Sequence, residues 1–365
     1  MFKYLILLDP LGFLYGSSGP FLSPENLVGL ASQTFPPQAP ALAGLVAHAL
    51  SETLSPGDRQ PALSQLFVAG PFWSFKENPQ NFCVPTPFCY LATTPADQIT
   101  AMGTDIQPKT LEQLQPQFSE SDPPRWLRAN GHKISGKFDT QTWMPIQQWK
   151  QPHIAYGNPW INLPHLHPRL ETDQRRVVSD EEQGSLFLEN AVQLNPQVCL
   201  AYLSNTPIPD GWYRFGGEGH LVQLTCLGLA RSTQALLSES LGQTFATLTP
   251  AIWGSNRFSL RYPPQWDQWE GSVHLWTDRA TSFRFRLGGE AQGPKRLSRG
   301  RYAVSAGTVY HLPQSLEAWE NWPYSDHPAE AESPIDAETL EATWFPTEGY
   351  SFKHWGCGLA LPLNL

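Results

Sequence analysis

Thirty-five prolines among 365 residues, alongside 28 glycines, constrain this chain more than any other feature. A proline ring fixes φ and removes a backbone donor, so it interrupts helix interiors and central strands alike. Long helices and coiled coils are excluded, and short elements joined by many loops are expected. The hydrophobic share of 41% is enough for a full core, and a charged share of only 16% excludes a disordered polyampholyte. The length suits two ordinary domains or one large, decorated one.

Between the prolines the apolar pattern reads as α+β. Lys3-Tyr4-Leu5-Ile6-Leu7-Leu8 is a buried strand stopped by Asp9-Pro10. Ala41 to Leu50 has few β-branched residues and apolar positions at helical spacing, which predicts a helix. Strand, glycine-bearing loop and helix is how a ferredoxin-like βαββαβ unit begins. Further strands are predicted at 185–188, 198–203, 221–224, 282–287 and 302–304, and an amphipathic helix at 231–241. Residues 93–165, with scattered prolines and Trp126, Trp143, Trp149 and Trp160, read as an irregular insertion.

The five cysteines form no CxxC pair, which argues against a disulfide framework or a zinc site. The apolar N-terminal run is too short for a signal peptide, and no stretch approaches the ~20 apolar residues of a membrane span. A soluble, reducing, cytoplasmic setting is expected, with no cofactor and no membrane partner. HExxH, GxSxG, Walker A and GxGxxG patterns are all absent. His165 and His167 lie two apart in a proline-rich segment with no third ligand, so no metal is expected there. No residue set supplies a nucleophile, a base and an oxyanion hole, so the chain is expected not to be an enzyme.

Net charge is −9, yet it is unevenly spread. Residues 210–310 carry 11 basic and 7 acidic side chains, a net +4, whereas 311–365 carry 1 and 9, a net −8. Binding follows local potential, so a basic face remains compatible with nucleic acid. Within that stretch lies Phe215-Gly216-Gly217-Glu218-Gly219-His220. Its three glycines let the backbone adopt φ > 0 and bring N–H groups close to a phosphate; the same glycines would equally serve a tight turn or bulge. The densest basic cluster, Lys295-Arg296-Leu297-Ser298-Arg299-Gly300-Arg301, reads either as a phosphate-binding strip or as a solvated turn.

Six short segments in this order resemble the RAMP superfamily of CRISPR proteins, in particular the third subunit of the Cmr (type III-B) complex and the Cas-five group. They are Leu8-Asp9-Pro10-Leu11-Gly12-Phe13 with Gly19-Pro20-Phe21, Phe35-Pro36-Pro37 through Leu42-Ala43-Gly44, and Gly70-Pro71-Phe72 with Phe82 to Pro87. Gln183 to Phe187, Phe215 to Gly219, and Ala306-Gly307-Thr308-Val309-Tyr310 complete the set. The resemblance implies two ferredoxin-like (RRM-like) units, 1–205 and 206–365. The insertion at about 93–165 would be a thumb of the first unit, and the glycine-rich loop would belong to the second.

It also implies a non-catalytic subunit that binds the 5′ handle of a guide RNA (crRNA). Such a subunit caps the backbone of a type III effector complex, next to the large polymerase-like subunit and the backbone RAMP subunits, and meets target RNA only indirectly. RNA would be held by shape and backbone, with aromatic stacking on splayed bases. The candidate contacts are Arg214, Phe215, Gly216, Gly217, Gly219 and His220 on the loop, Ser17 and Ser18 after the first strand, Arg175 and Arg176, and Arg296, Arg299 and Arg301 in the basic strip. Other RAMP proteins are metal-independent RNA-processing endonucleases, and in that alternative His220 would be the general acid or base. Two departures from the family pattern matter. Leu14-Tyr15 stand where it usually carries Arg-Asp, and His220 stands where its glycine loop usually ends in arginine, so both sites lose a phosphate partner. A B-like and a D-like subtype both stay open.

Overall fold

In the computed structural model several prolines stand at the ends of elements, while Pro61, Pro71 and Pro313 lie inside them. The structure describes all residues except 15–34, 95–105, 118–124, 137, 169–170, 172–175, 178–185, 218, 256–257, 270, 288–296 and 326–343. Strand β1 (Tyr4–Pro10) ends on a proline, and helix α1 (Ala39–Thr53) carries one in its first turn, where no donor is lost. Helix α2 (Pro56–Ser64) begins on Pro56 and leads into β2 (Val68–Phe75), buried on both faces.

The chain then leaves through β3 (Cys83–Pro85), β4 (Tyr90–Thr93), β5 (Pro108–Gln117), β6 (Arg125–Arg128), β7 (Trp143–Pro145) and β8 (Ile154–Tyr156). A two-stranded ribbon, β9 (Trp160–Pro168) and β10 (Leu186–Leu194), follows. The chain returns as β11 (Val198–Ser204), inserted antiparallel between β1 and β2. The hairpin β12 (Gly211–Phe215) and β13 (His220–Gly228) then closes onto the other edge of β1. One sheet of 11 strands results, in the order β12-β13-β1-β11-β2-β3-β7-β8-β5-β4, with β6 paired to β5.

Two expectations are corrected here. The described residues of 93–165 are not irregular: β5, β7 and β8 extend the main sheet, with Pro108 and Pro145 at strand ends where a missing donor costs little. The hairpin 211–228 lies on the far side of residue 205 yet pairs with β1 over seven residues, Tyr4↔Gly228 to Pro10↔Val222. The first sheet therefore crosses the expected boundary, and the glycine loop belongs to it.

Strand alternation divides the side chains of this sheet. Ile6, Leu8, Leu200, Tyr202, Phe215, Val222 and Leu224 face α1, packing on Leu42, Leu45 and Val46. Leu5, Phe72, Ala201 and Leu203 face the other way, into a core shared with the rest of the chain. That second body begins with α3 (Arg231–Leu237) and β14 (Gly242–Thr247). It adds β15 (Trp253–Gly254), β16 (Ser259–Leu260), β17 (His274–Trp276), β18 (Thr281–Phe283), β19 (Arg301–Ala303) and β20 (Val309–Leu316). Strands β21 (Thr347–Glu348), β22 (Tyr350–Ser351) and β23 (Ala360–Pro362) end it, and its main sheet is ordered β17-β20-β14-β23.

Tryptophan supplies much of the packing, as its large buried area suits. Trp73, Trp253, Trp266 and Trp319 are each under 2% exposed, and Phe245 stacks on Tyr310 at 5.3 Å. The closing turn, residues 352–358, locks the two bodies together. Lys353 is buried there, its Nζ donating to the carbonyls of Glu320 (2.8 Å) and Trp322 (2.5 Å) and lying over the rings of Trp319 and Tyr324. Burial pulls its pKa down to about 8, only partly offset by the Glu320 carboxylate. Among the described residues no helix is long and apolar enough to cross a membrane.

Candidate nucleic-acid interface

The glycine loop is the tip of the β12–β13 hairpin. Phe215 and His220 form its last cross-strand pair, and the turn is closed by the Gly219 N–H donating to the Gly216 carbonyl at 3.2 Å. Gly216 (φ +74°) and Gly219 (φ +68°) lie in the left-handed region, so two of the three glycines are required by the turn itself. Gly217 has no positive φ; its constraint is space. A Cβ there would stand 2.8 Å from Nε and 3.0 Å from Cζ of Arg286. At the last glycine of the loop, a Cβ on Gly219 would touch the Arg214 Nη1 at 3.6 Å. Two guanidinium groups therefore lie against the loop backbone, Arg286 at Gly217 and Arg214 at Gly219.

Arg286 reaches the loop because of an alternating run, Phe283-Arg284-Phe285-Arg286. Phe283 packs on Phe352, and Phe285 meets Trp355 at 4.5 Å, which sends the intervening arginines the other way. The buried Ser298 fixes the run: its Oγ accepts from the Phe285 N–H at 3.0 Å, and its carbonyl accepts from Arg284 Nε at 2.8 Å. An isolated bridge joins Arg286 to Leu297. Arg214 and Arg286 are both exposed. A planar donor fork beside a glycine backbone suits an anionic group, above all a phosphodiester.

The other sequence-selected residues fare differently. Phe215 is 1% exposed and packs edge-on against Tyr202, so it is a core residue and cannot stack on a base. Arg301 is 5% exposed, donates from Nη1 to Glu348 Oε2 at 2.5 Å, and lies over the Phe352 ring at 4.7 Å. It is a packing residue rather than part of a phosphate strip. Arg299 is exposed, and its backbone N–H donates to Glu348 Oε1 at 3.1 Å. Arg176 is exposed, with the Glu171 carboxylate at 4.0 Å. Ser17, Ser18, Arg175 and Arg296 lie outside the described residues.

His220 sits at the base of the loop as the partner of Phe215. Among the described residues no three His, Cys, Asp or Glu side chains gather into a metal-binding group. Burial pushes the thiols of Cys83, Cys89, Cys199 and Cys357 up, which keeps them protonated and unreactive. A second concavity, at the root of the ribbon, is lined by Lys109, Asn158, Trp160, Gln193 and Asn195. Its polar groups already have internal tasks: Asn158 accepts from Trp143 Nε1 at 2.8 Å, and Lys109 holds Asp139 at 2.9 Å.

A family model described as "CRISPR-associated protein (Cas_Cmr3)" matches residues 7–365. No curated protein matches the chain. Among solved structures it is similar to a chain of the type III-B Cmr-beta complex bound to cognate target RNA, at 12% identity over 84% of this chain and 86% of that one, with a TM-score of 0.44. It is also similar to a chain of the Csm3-Csm4 subcomplex of the type III-A interference complex, at 10% identity over 86% and 94% of the two chains, with a TM-score of 0.36.

Proposed function

The chain belongs to the Cas_Cmr3 family of CRISPR-associated proteins, as a RAMP-type subunit, and on that footing we propose that it holds the 5′ handle of a guide RNA in a type III effector complex. The single observation that carries the RNA-binding part is the glycine hairpin with Arg214 and Arg286 against its backbone. A hairpin tip with close backbone and two exposed guanidinium groups binds a phosphodiester through charge-assisted bonds without reading sequence. Arg286 supplies from a distant segment the arginine that His220 does not supply at the loop's end.

The order β13-β1-β11-β2, all antiparallel with α1 on one face, supports a ferredoxin-like reading of the first unit. In this reading the hairpin strand β12 takes the place of that unit's second helix, and β3 to β10 form one long insertion between its second and third strands. The subunit is non-catalytic, and its partners are the large polymerase-like subunit and the backbone RAMP subunits. The test is to purify the whole complex through this chain and map the ends of its RNA. Small RNAs with one shared 5′ end are expected. Heterogeneous 5′ ends would remove handle binding, and cleavage of repeat RNA by the chain alone, lost in His220→Ala, would make it the processing nuclease instead.

A further inference from the structure

The outward face of the hairpin carries a feature that the phosphate clamp leaves unused. Along β12 the side chains alternate, so that Tyr213 and Phe215 turn toward α1 while Trp212 and Arg214 turn away. Trp212 is 54% exposed, whereas Trp73, Trp253, Trp266 and Trp319 are each under 2%. A bare indole on a sheet surface exposes apolar area with no folding benefit, and the hairpin is held by its backbone ladder and its inner face without it. Its cross-strand neighbour is Gln223, and that of Arg214 is Leu221, 46% exposed. One step further, the Leu11 N–H donates to the Leu221 carbonyl at 3.1 Å, which sets Leu11 beside this patch.

We propose that Trp212 is a stacking platform for the nucleobase next to the phosphate held by Arg214 and Arg286, so that the hairpin grips one nucleotide step of single-stranded RNA. The inference rests on the RNA-binding reading above. Trp212 and Arg214 stand two residues apart on one face, about 7 Å along the strand. A ring platform followed by a cation at that distance matches a base and its adjoining phosphate. Charge decides for nucleic acid over a protein partner: the indole is exposed at the foot of a loop with two guanidinium groups against its backbone, an arrangement that attracts an anion carrying a flat apolar ring. Gln223 at the platform's rim can bond to a base edge, which offers a modest preference among bases rather than a strict one.

The experiment measures binding of handle RNA to the assembled complex carrying wild-type chain, Trp212→Ala, Trp212→Phe or Trp212→Leu, and repeats it with RNAs holding one abasic site at successive positions. Loss of a single stack is expected to weaken Trp212→Ala about tenfold, toward the low end of the range for aromatic platforms. Trp212→Phe should restore most of that loss, and Trp212→Leu should not. One abasic position should weaken the wild type by a similar factor and leave Trp212→Ala unaffected. Unchanged affinity in Trp212→Ala, with wild type binding normally, overturns the platform and leaves the RNA-binding reading intact. RNA affinity retained while the chain drops out of the complex makes the patch a protein contact and overturns it equally. Failure of the wild type to bind handle RNA removes both.

Discussion

Replacing Gly356 with alanine is expected to lower stability by about 2–5 kcal/mol, one of the two largest effects foreseen for this chain. The residue ends the short turn 352–355 with φ +63°. A Cβ there would stand 2.4 Å from the Ala69 Cβ and 2.8 Å from the Val68 carbonyl oxygen, so the backbone of β2 itself blocks it. Left-handed strain contributes about 1–2 kcal/mol and overpacking about 1–3 kcal/mol. At about 2 cal/mol/K per residue, this corresponds to a fall in Tm of about 3–7 °C. Gly349 provides the control, since it shares the conformation (φ +80°) with nothing within 4 Å of its would-be Cβ. Gly349→Ala should cost only the strain. Equal losses in the two variants would show that the closing turn does not press on β2 as described.

The second large effect concerns binding. Arg214→Ala and Arg286→Ala together should weaken handle RNA about 100-fold, from two charge-assisted bonds of about 1.5 kcal/mol each. The salt slope of log K should flatten by about 0.7, the contribution of one phosphate contact on a single strand. Melting temperature should hold, because both side chains are exposed. Arg301→Ala should do the reverse. It removes the ion pair to Glu348 and uncovers the Phe352 ring, so it lowers stability while leaving the salt slope alone. A flattened slope in Arg301→Ala with none in the double variant would move the phosphate contact back to the 295–301 strip.

The parts of this account legible in the sequence are those set by local pattern. β1, α1, α3 and β13 follow from apolar periodicity, and the glycine turn from its composition. The alternation Trp212-Tyr213-Arg214-Phe215 was also there to be read, and it would have separated an outward Trp212 from an inward Phe215. Proline misled at 93–165, because frequency does not reveal position: Pro108 and Pro145 mark strand ends rather than loops. Charge misled at Arg301, because the sequence cannot say that this arginine is buried against Glu348. Arg286 was invisible for a different reason. Its meeting with Gly217, 69 positions earlier, depends on Phe283 and Phe285 docking on the closing turn, a tertiary event that no local window contains.

The central claim is that the handle lies on the β12–β13 hairpin, and photo-crosslinking tests it most directly. Guide RNA carrying 4-thiouridine at single handle positions would be assembled into the complex, irradiated, and the crosslinked peptides of this chain identified. At least one handle position is predicted to join to residues 211–223 or to the 283–287 run that bears Arg286. Crosslinks confined to other segments of the chain, or to neighbouring subunits alone, would contradict the account.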